Sequence, residues 1–245
     1  MEIGGSRIMV TGATGGIGAV IVTALAGRGA DLLLVGRRSS SVEALADRVG
    51  ATAVVADLAV PSDLERLAAA VGECDALVLN AGVLDGPDQE VLTVNLLAPL
   101  RLASEFVGQR QASRRAGAVV FTGSVAGVSA SVGMGAYNAS KFGLRGYALS
   151  LAHELAGTSM SATHLVVGYV RDAGMLVRSG GRPPRGIRTR SPDQVATAVV
   201  RAIEDGPAEV WVAPVELRVA TTALGVLPRL AGWWSSRGRR GPVGG

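Results

Sequence analysis

The sequence predicts an α/β fold, a single doubly wound domain over residues 1–234 with a parallel sheet of about seven strands and helices on both faces. Three observations carry that expectation. Short runs of Val, Leu and Ile alternate with longer stretches of helical periodicity, the pattern of stacked βαβ units whose strands are buried on both sides. No linker of changed composition breaks the alternation. A glycine-rich turn follows the first apolar run and opens the first helix, where such sheets bind anionic ligands.

Taken in order, the strands are expected near Arg7 to Thr11, Asp31 to Val35, Thr52 to Ala56, Ala76 to Leu79, Ala118 to Thr122, Ala162 to Val167 and Glu209 to Val212. Helices fit between them at Gly16 to Arg28, Ser41 to Val49, Pro61 to Val71, Val91 to Arg115, Ala136 to Leu155 and Ser191 to Asp205. Two helix starts carry local signals. Ser191-Pro192-Asp193 sets a capping hydroxyl before a proline, and Pro61-Ser62-Asp63-Leu64-Glu65 sets a cap and acids ahead of an apolar stripe. The Gly/Arg-rich end, Ser235 to Gly245, is expected to be disordered.

Composition narrows the function classes. At 48% hydrophobic the chain can bury a large core, yet no apolar run reaches the roughly eighteen residues of a bilayer span. The N-terminus lacks the features of a signal peptide, and a single cysteine, Cys74, allows no intrachain disulfide, so a cytoplasmic setting is expected. Residues 1–170 hold 12 basic and 14 acidic side chains and residues 171–245 hold 12 and 6, so the +4 net charge gathers at the C-terminal end. Without aromatic content or a recognition motif, that charge does not make a nucleic-acid reader.

The glycine turn reads Thr11-Gly12-Ala13-Thr14-Gly15-Gly16-Ile17-Gly18. Glycines here let the backbone approach a pyrophosphate while the helix N-terminus supplies free N–H groups. The spacing is G-x-x-x-G-x-G, so placement after a strand and before a helix carries the reading more than the letters do. At the end of the second strand, where an acid would bind the ribose hydroxyl of NAD, the chain has Arg37-Arg38. Two guanidiniums suit a 2'-phosphate, which favours NADP(H) over NAD(H); a pair of solvated loop arginines is the competing reading.

Of the 24 basic residues only Lys141 is a lysine, and it lies four positions after Tyr137 in Tyr137-Asn138-Ala139-Ser140-Lys141. On a helix the two share a face, and bringing a phenol from its ordinary pKa near 10 to about 7 needs roughly 4 kcal/mol of phenolate stabilisation, which a desolvated ammonium can help supply. A surface Tyr and Lys stacked at helical spacing is the bland alternative. Asparagine is also scarce. Of three, Asn80 follows the fourth strand and Asn95 falls in an expected buried helix, where an amide needs partners. Ser124 follows the fifth strand and would face the same crevice.

Together these residues resemble the short-chain dehydrogenase/reductase family, in its shorter single-domain branch with a Rossmann-type fold. Thr11 to Gly18 looks like its cofactor turn, Asp57-Leu58 its adenine contact, Asn80-Ala81-Gly82 its fourth-strand motif, and Asn95, Ser124, Tyr137 and Lys141 its catalytic tetrad. The resemblance, which runs over residues 7 to about 172, implies reversible hydride transfer between a nicotinamide and a carbonyl or alcohol carbon. Tyr137 is then the general acid, Ser124 a hydrogen-bond partner of the carbonyl oxygen, Lys141 a ribose ligand that lowers the phenol pKa, and Asn95 the holder of a relay water. It implies no metal.

The chain departs from the family in three places. The stretch between Gly82 and Asn95 is short, which trims or opens one wall of the cleft. Val167-Gly168 stands where the family has Pro-Gly, Gly168 remaining a candidate cofactor contact, and Asp172 stands where it has threonine. The expected substrate lid, about 171–190, carries six arginines and one acid, suited to an anionic or carrier-bound acyl substrate. The segment from Leu217 to Arg240, with Trp233-Trp234 among five arginines, reads as a subunit contact, a flap or an interfacial helix. A homodimer or homotetramer is expected. The rival to an enzyme is a non-catalytic dinucleotide sensor or scaffold, which would keep the turn and lose the tetrad.

Overall fold

The computed structural model describes residues 1–174 and 186–227. Seven strands form one sheet: β1 (Arg7–Thr11), β2 (Asp31–Gly36), β3 (Thr52–Val55), β4 (Ala76–Leu79), β5 (Gly117–Thr122), β6 (Met160–Val167) and β7 (Glu209–Val212). Every pairing is parallel, and the spatial order is β3-β2-β1-β4-β5-β6-β7. The chain therefore runs outward from β1 to β3, then crosses back to lay β4 against the other side of β1. Connections leaving β1 and β4 diverge, which opens a crevice at their carboxyl ends.

The helices are α1 (Gly16–Ala26), α2 (Ser39–Val49), α3 (Pro61–Ala70), α4 (Asp88–Leu92), α5 (Ala98–Ala112), α6 (Gly135–Glu154), α7 (Pro192–Asp205) and α8 (Val215–Val226). One core layer joins α1, α2 and α7 to the sheet through Ile8, Val10, Ile21, Leu34 and Val199. The opposite layer joins α3, α5 and α6 through Met9, Leu67, Leu102, Phe106, Phe121 and Leu144. Ser191 caps α7 as the sequence predicts, accepting from Gln194 N at 3.3 Å while the Gln194 side chain accepts from Ser191 N at 2.9 Å.

Three local expectations are corrected. The cap of α3 is Val60, ahead of the Pro61 to Glu65 stretch and without a side-chain bond: Pro61 takes the first turn, and Asp63 is drawn off to accept the Asp57 N–H at 2.8 Å. The expected continuous helix from Val91 to Arg115 starts earlier, at Asp88, and contains a π-helical turn over Thr93–Leu97. Read as one run, Asp88–Ala112 is long and apolar enough to cross a membrane, although no single uninterrupted apolar stretch is. Its apolarity is spent on the sheet, with Leu102, Ala103 and Phe106 fully buried and Arg101 and Glu105 paired outside at 3.2 Å. Residues 235–245, Trp233-Trp234 and the middle of the expected lid lie outside the described residues.

Candidate active site

The site is built at the carboxyl ends of β1, β2, β4, β5 and β6, around a cleft of about 1030 Å³. At its floor the chain leaves β1 through Gly12, which has φ 64° and where a Cβ would lie 2.7 Å from Ala81 Cα. Only glycine meets both demands. Six residues later, a Cβ at Gly18 would overlap the Gly12 carbonyl oxygen, so α1 can sit on the turn only with glycine there. The cap of α1 is Gly15 without a side-chain bond, and the first turn holds no acid, which leaves its N–H groups and positive dipole end directed at the cleft. Gly12, Thr14 and Gly15 to Gly18 all line the cleft, a cradle that fits a pyrophosphate.

Thr11 does not belong to that lining. It is buried, and its Oγ1 accepts from the N–H groups of Asn80 at 3.1 Å and Ala81 at 3.2 Å. The Asn80 amide returns the bond, donating to the carbonyls of Thr11 and Gly12, each at 3.3 Å. Thr11 is thus a strut that ties the β1 turn to the end of β4; the sequence placed it in the right turn but on the wrong side of the backbone. Asn80, Ala81 and Gly82 form the cleft wall that this strut supports.

Arg37 and Arg38 follow β2 and both border the cleft, as do Asp57 and Leu58 after β3. The two arginines are not equivalent. Arg37 lies 3.7 Å from Asp57 and 3.8 Å from Glu90, whereas Arg38 leads into α2 with no carboxylate within ion-pair distance among the described residues. Asp57 also accepts from Ala59 N at 2.9 Å, so its carboxylate shapes the turn besides facing Arg37.

On the other wall, Tyr137 and Lys141 stand one turn apart on α6 and converge with Ser124. Ser124 follows β5 in extended backbone, and its Oγ accepts from Ala126 N at 3.1 Å, which turns the hydroxyl toward the cleft. The Lys141 ammonium donates to the Thr122 carbonyl at 3.1 Å and lies 5.8 Å from the centre of the Tyr137 ring. Burial pushes the Tyr137 phenol up, and the hydrogen bond with Ser124 opposes that shift. Burial alone pulls Lys141 down to about 8. Ser124 is thus the hydrogen-bond partner that eases the phenol, with the Lys141 ammonium standing near its ring.

Asn95 occupies the π turn and is nearly sealed from solvent, without lining the cleft. Its amide is fully committed: Oδ1 accepts from Val83 N at 2.8 Å, and Nδ2 donates to Val83 O at 2.8 Å and to Ser140 Oγ at 3.3 Å. Four residues on stands Pro99, which has no N–H to return to the Asn95 carbonyl. The Asn95 side chain is a clamp on the β4–α4 loop in this structure.

Sequence reasoning missed the rest of the lining, because its residues are mostly apolar and belong to no motif. Leu84, Met134 and Tyr169, with Leu217, Ala220 and Leu224 from α8, give the end beyond Ser124 and Tyr137 a largely apolar wall. The early part of the Leu217 to Arg240 segment therefore does face the cleft. Gly168 lines it too, and a Cβ there would press on Leu217 at 2.9 Å. Asp172 adopts φ 62°, a backbone shape threonine takes poorly. Among the described residues of the lid, Arg188 is spent on Glu216 at 2.8 Å, Arg190 on the Ala213 carbonyl at 3.1 Å, and Arg171 lies 3.4 Å from Asp172. Arg178, Arg182 and Arg185 lie outside the described residues. No group of His, Cys, Asp and Glu suited to a metal ion occurs among the described residues.

Comparison with known proteins gives one family match, a short chain dehydrogenase profile over residues 6–180. The chain is 31% identical over 185 residues to the 3-oxoacyl-[acyl-carrier-protein] reductase of Escherichia coli K12, covering 69% of this chain and 75% of that one. It is 31% identical over 227 residues to the ketoacyl reductase HetN of Nostoc, covering 85% and 78%. Among solved structures, a protein of Beutenbergia cavernae assigned as an NAD(P)-dependent gluconate 5-dehydrogenase, with NADP at low occupancy, is 29% identical with TM-score 0.77, covering 87% of this chain and 98% of that one.

Proposed function

We propose, on the premise that this chain belongs to the short-chain dehydrogenase family, that it interconverts a carbonyl and an alcohol using NADP(H), with Tyr137 as general acid and base. As a member of that family it is an NAD(P)-dependent oxidoreductase acting on CH–OH or C=O groups. The observation that carries the mechanism is the convergence of Ser124, Tyr137 and Lys141 on one cleft that also holds the glycine cradle. When bound, the dinucleotide supplies the hydride donor or acceptor. Gly12 to Gly18 would hold its pyrophosphate, Asp57 and Leu58 its adenine, and Asn80 to Gly82 the ribose beyond.

Ser124 and the Tyr137 hydroxyl grip the substrate oxygen, and in reduction Tyr137 gives its proton to that oxygen as charge develops there. The buried Lys141 ammonium favours the phenolate that results. The apolar wall around Leu84, Met134 and Leu224 selects a substrate whose carbonyl is carried on hydrocarbon. The ketoacyl reductases among its relatives support an acyl thioester as the class to test first. NADPH oxidation across acyl thioesters and neutral ketones is expected to give turnover with thioesters preferred; tight NADP(H) binding without turnover on any carbonyl would instead mark a dinucleotide sensor. If the lid arginines attract an anionic carrier, raising the salt lowers thioester turnover and leaves neutral ketones unchanged.

Arg38 has no carboxylate to neutralise it among the described residues and is the residue we assign to the 2'-phosphate, with Arg37 held back by Asp57 and Glu90. Arg38→Ala is expected to weaken NADPH binding by about 1.5–3 kcal/mol, the range of a charge-assisted bond, while NADH binding stays level. Equal losses for both cofactors in fluorescence titrations would remove the assignment. Exposed Leu97 and Phe142, on neighbouring helical faces, support a homo-oligomer. The single cysteine, Cys74, leaves no intrachain disulfide to form, which supports a reducing cytoplasm.

A further inference from the structure

A buried imidazole sits beneath the active-site turn, and none of the steps above uses it. His164 lies on β6 and is wholly shielded from solvent. Its register partners are Phe121 on β5 and Glu209 on β7, so its side chain occupies the layer between the sheet and α6. The ring stands against Gly123: a Cβ at that glycine would overlap Nε2, come within 2.5 Å of Cε1 and approach the Leu165 carbonyl at 2.8 Å. Gly123 has no left-handed φ, so it is the imidazole, together with the Leu165 carbonyl, that demands glycine there. That residue separates Thr122, whose carbonyl receives Lys141 at 3.1 Å, from Ser124.

On its far side the ring meets a held carboxylate. Nδ1 lies 3.4 Å from Glu209 Oε1, near but too poorly aligned for a full hydrogen bond, and neither ring nitrogen has another partner among the described residues. Glu209 is fixed by Arg145 at 2.7 and 3.3 Å and by Trp211 Nε1 at 3.0 Å. We infer that His164 is a positioning residue: its neutral imidazole, backed by the Glu209–Arg145 pair, holds the Thr122-Gly123-Ser124 turn in the shape that presents Ser124 and receives Lys141. The inference rests on the reading of Ser124 and Lys141 given above.

The berth suits the neutral ring only. An imidazolium has two N–H donors, and here one of them would face the Gly123 backbone carbon with no acceptor. The charged groups facing it are Lys141 and Arg145 from α6 and Glu209 from β7, while β5 presents Phe121. Burial lowers the His164 pKa, Glu209 opposes that, and Lys141 and Arg145 lower it further. Glu209 itself is held at about 2 and stays ionised. The native turn is therefore complete above the ordinary histidine value near 6.5 and is lost as pH falls through the lowered native value. Carbonyl reduction needs Tyr137 protonated, so the phenol itself gives no acid limb in that direction.

The chain has two histidines, so the imidazole signals of His164 and His153 are separable by NMR. The Gly123 and Ser124 amide resonances are expected to follow the His164 titration, and kcat for reduction to fall along the same curve with KM for NADPH unchanged. Glu209→Gln moves titration and acid limb together to lower pH. His164→Asn abolishes the limb and lowers kcat on the order of 10- to 100-fold, the cost of a misplaced reacting group. Amides at 123 and 124 that ignore the titration, a limb that stays in place in Glu209→Gln, or parental rates in His164→Asn would each overturn the inference. The amide readout needs no turnover, so a chain inactive on every carbonyl defeats the proposed function without touching this test.

Discussion

Tyr137→Phe is expected to lower kcat for carbonyl reduction about 10²–10⁴-fold while NADPH still binds, because the change removes one hydroxyl and keeps the ring. That hydroxyl belongs to a nearly buried phenol whose proton is held firmly, burial raising its pKa against the pull of Ser124. A general acid must be protonated at neutral pH, but a raised pKa makes that proton harder to give, so the transfer needs help as charge rises on the substrate oxygen. Lys141 is placed to give it, as a cation with its own proton leaving near pH 8. Reduction by the parent enzyme should therefore weaken above about pH 8 as the ammonium is lost. Stopped-flow measurement of hydride transfer in parent and variant checks both points. A variant within tenfold of the parent would move the acid role elsewhere.

Gly18→Ala is the second large effect, and it acts on binding. The added methyl would overlap the Gly12 carbonyl oxygen and stand 3.0 Å from both the Ala13 oxygen and the Asn80 amide nitrogen. Two of these are backbone atoms, so no rotamer change relieves the clash; α1 must tilt away from the turn. Tilting takes the N–H groups of its first turn off the pyrophosphate position and disturbs the Asn80 bonds to Thr11 and Gly12. Calorimetric titration should give NADPH affinity down by about 2–4 kcal/mol, a loss of several charge-assisted bonds together. Thermal unfolding should fall by a smaller amount, since α1 remains anchored by Ile21, Val22 and Leu25. Unchanged affinity would mean that this turn does not seat the phosphates.

Much of the fold was legible because strands buried on both faces are written as continuous apolar runs, and all seven fall where those runs lie. Strand order was not legible, since neighbours in a parallel sheet are chosen by crossovers, not by letters. The site was legible where chemistry needs a rare residue: Lys141, Tyr137 and Ser124 were found by type and spacing. Thr11 and Asn95 were found too, but their direction was not, because a hydroxyl or amide can face a ligand or serve the backbone equally well. The α8 wall escaped because Leu217 and Leu224 look like any core residue. His164 escaped for the opposite reason, a lone polar letter in a strand carrying no motif.

The grip of Asn95 on the β4–α4 loop has a practical side. Two of its bonds are to the peptide group of Val83 alone, and its third goes to Ser140, so it reads none of the loop's side chains. Val83 and Leu84 nonetheless face the cleft. The loop is in effect a socket with exchangeable inserts: the chain path is fixed from a neighbouring helix, and the surface offered to a substrate can be rewritten one side chain at a time. Positions 83 and 84 can thus be varied without removing the bonds that fix the path of the loop.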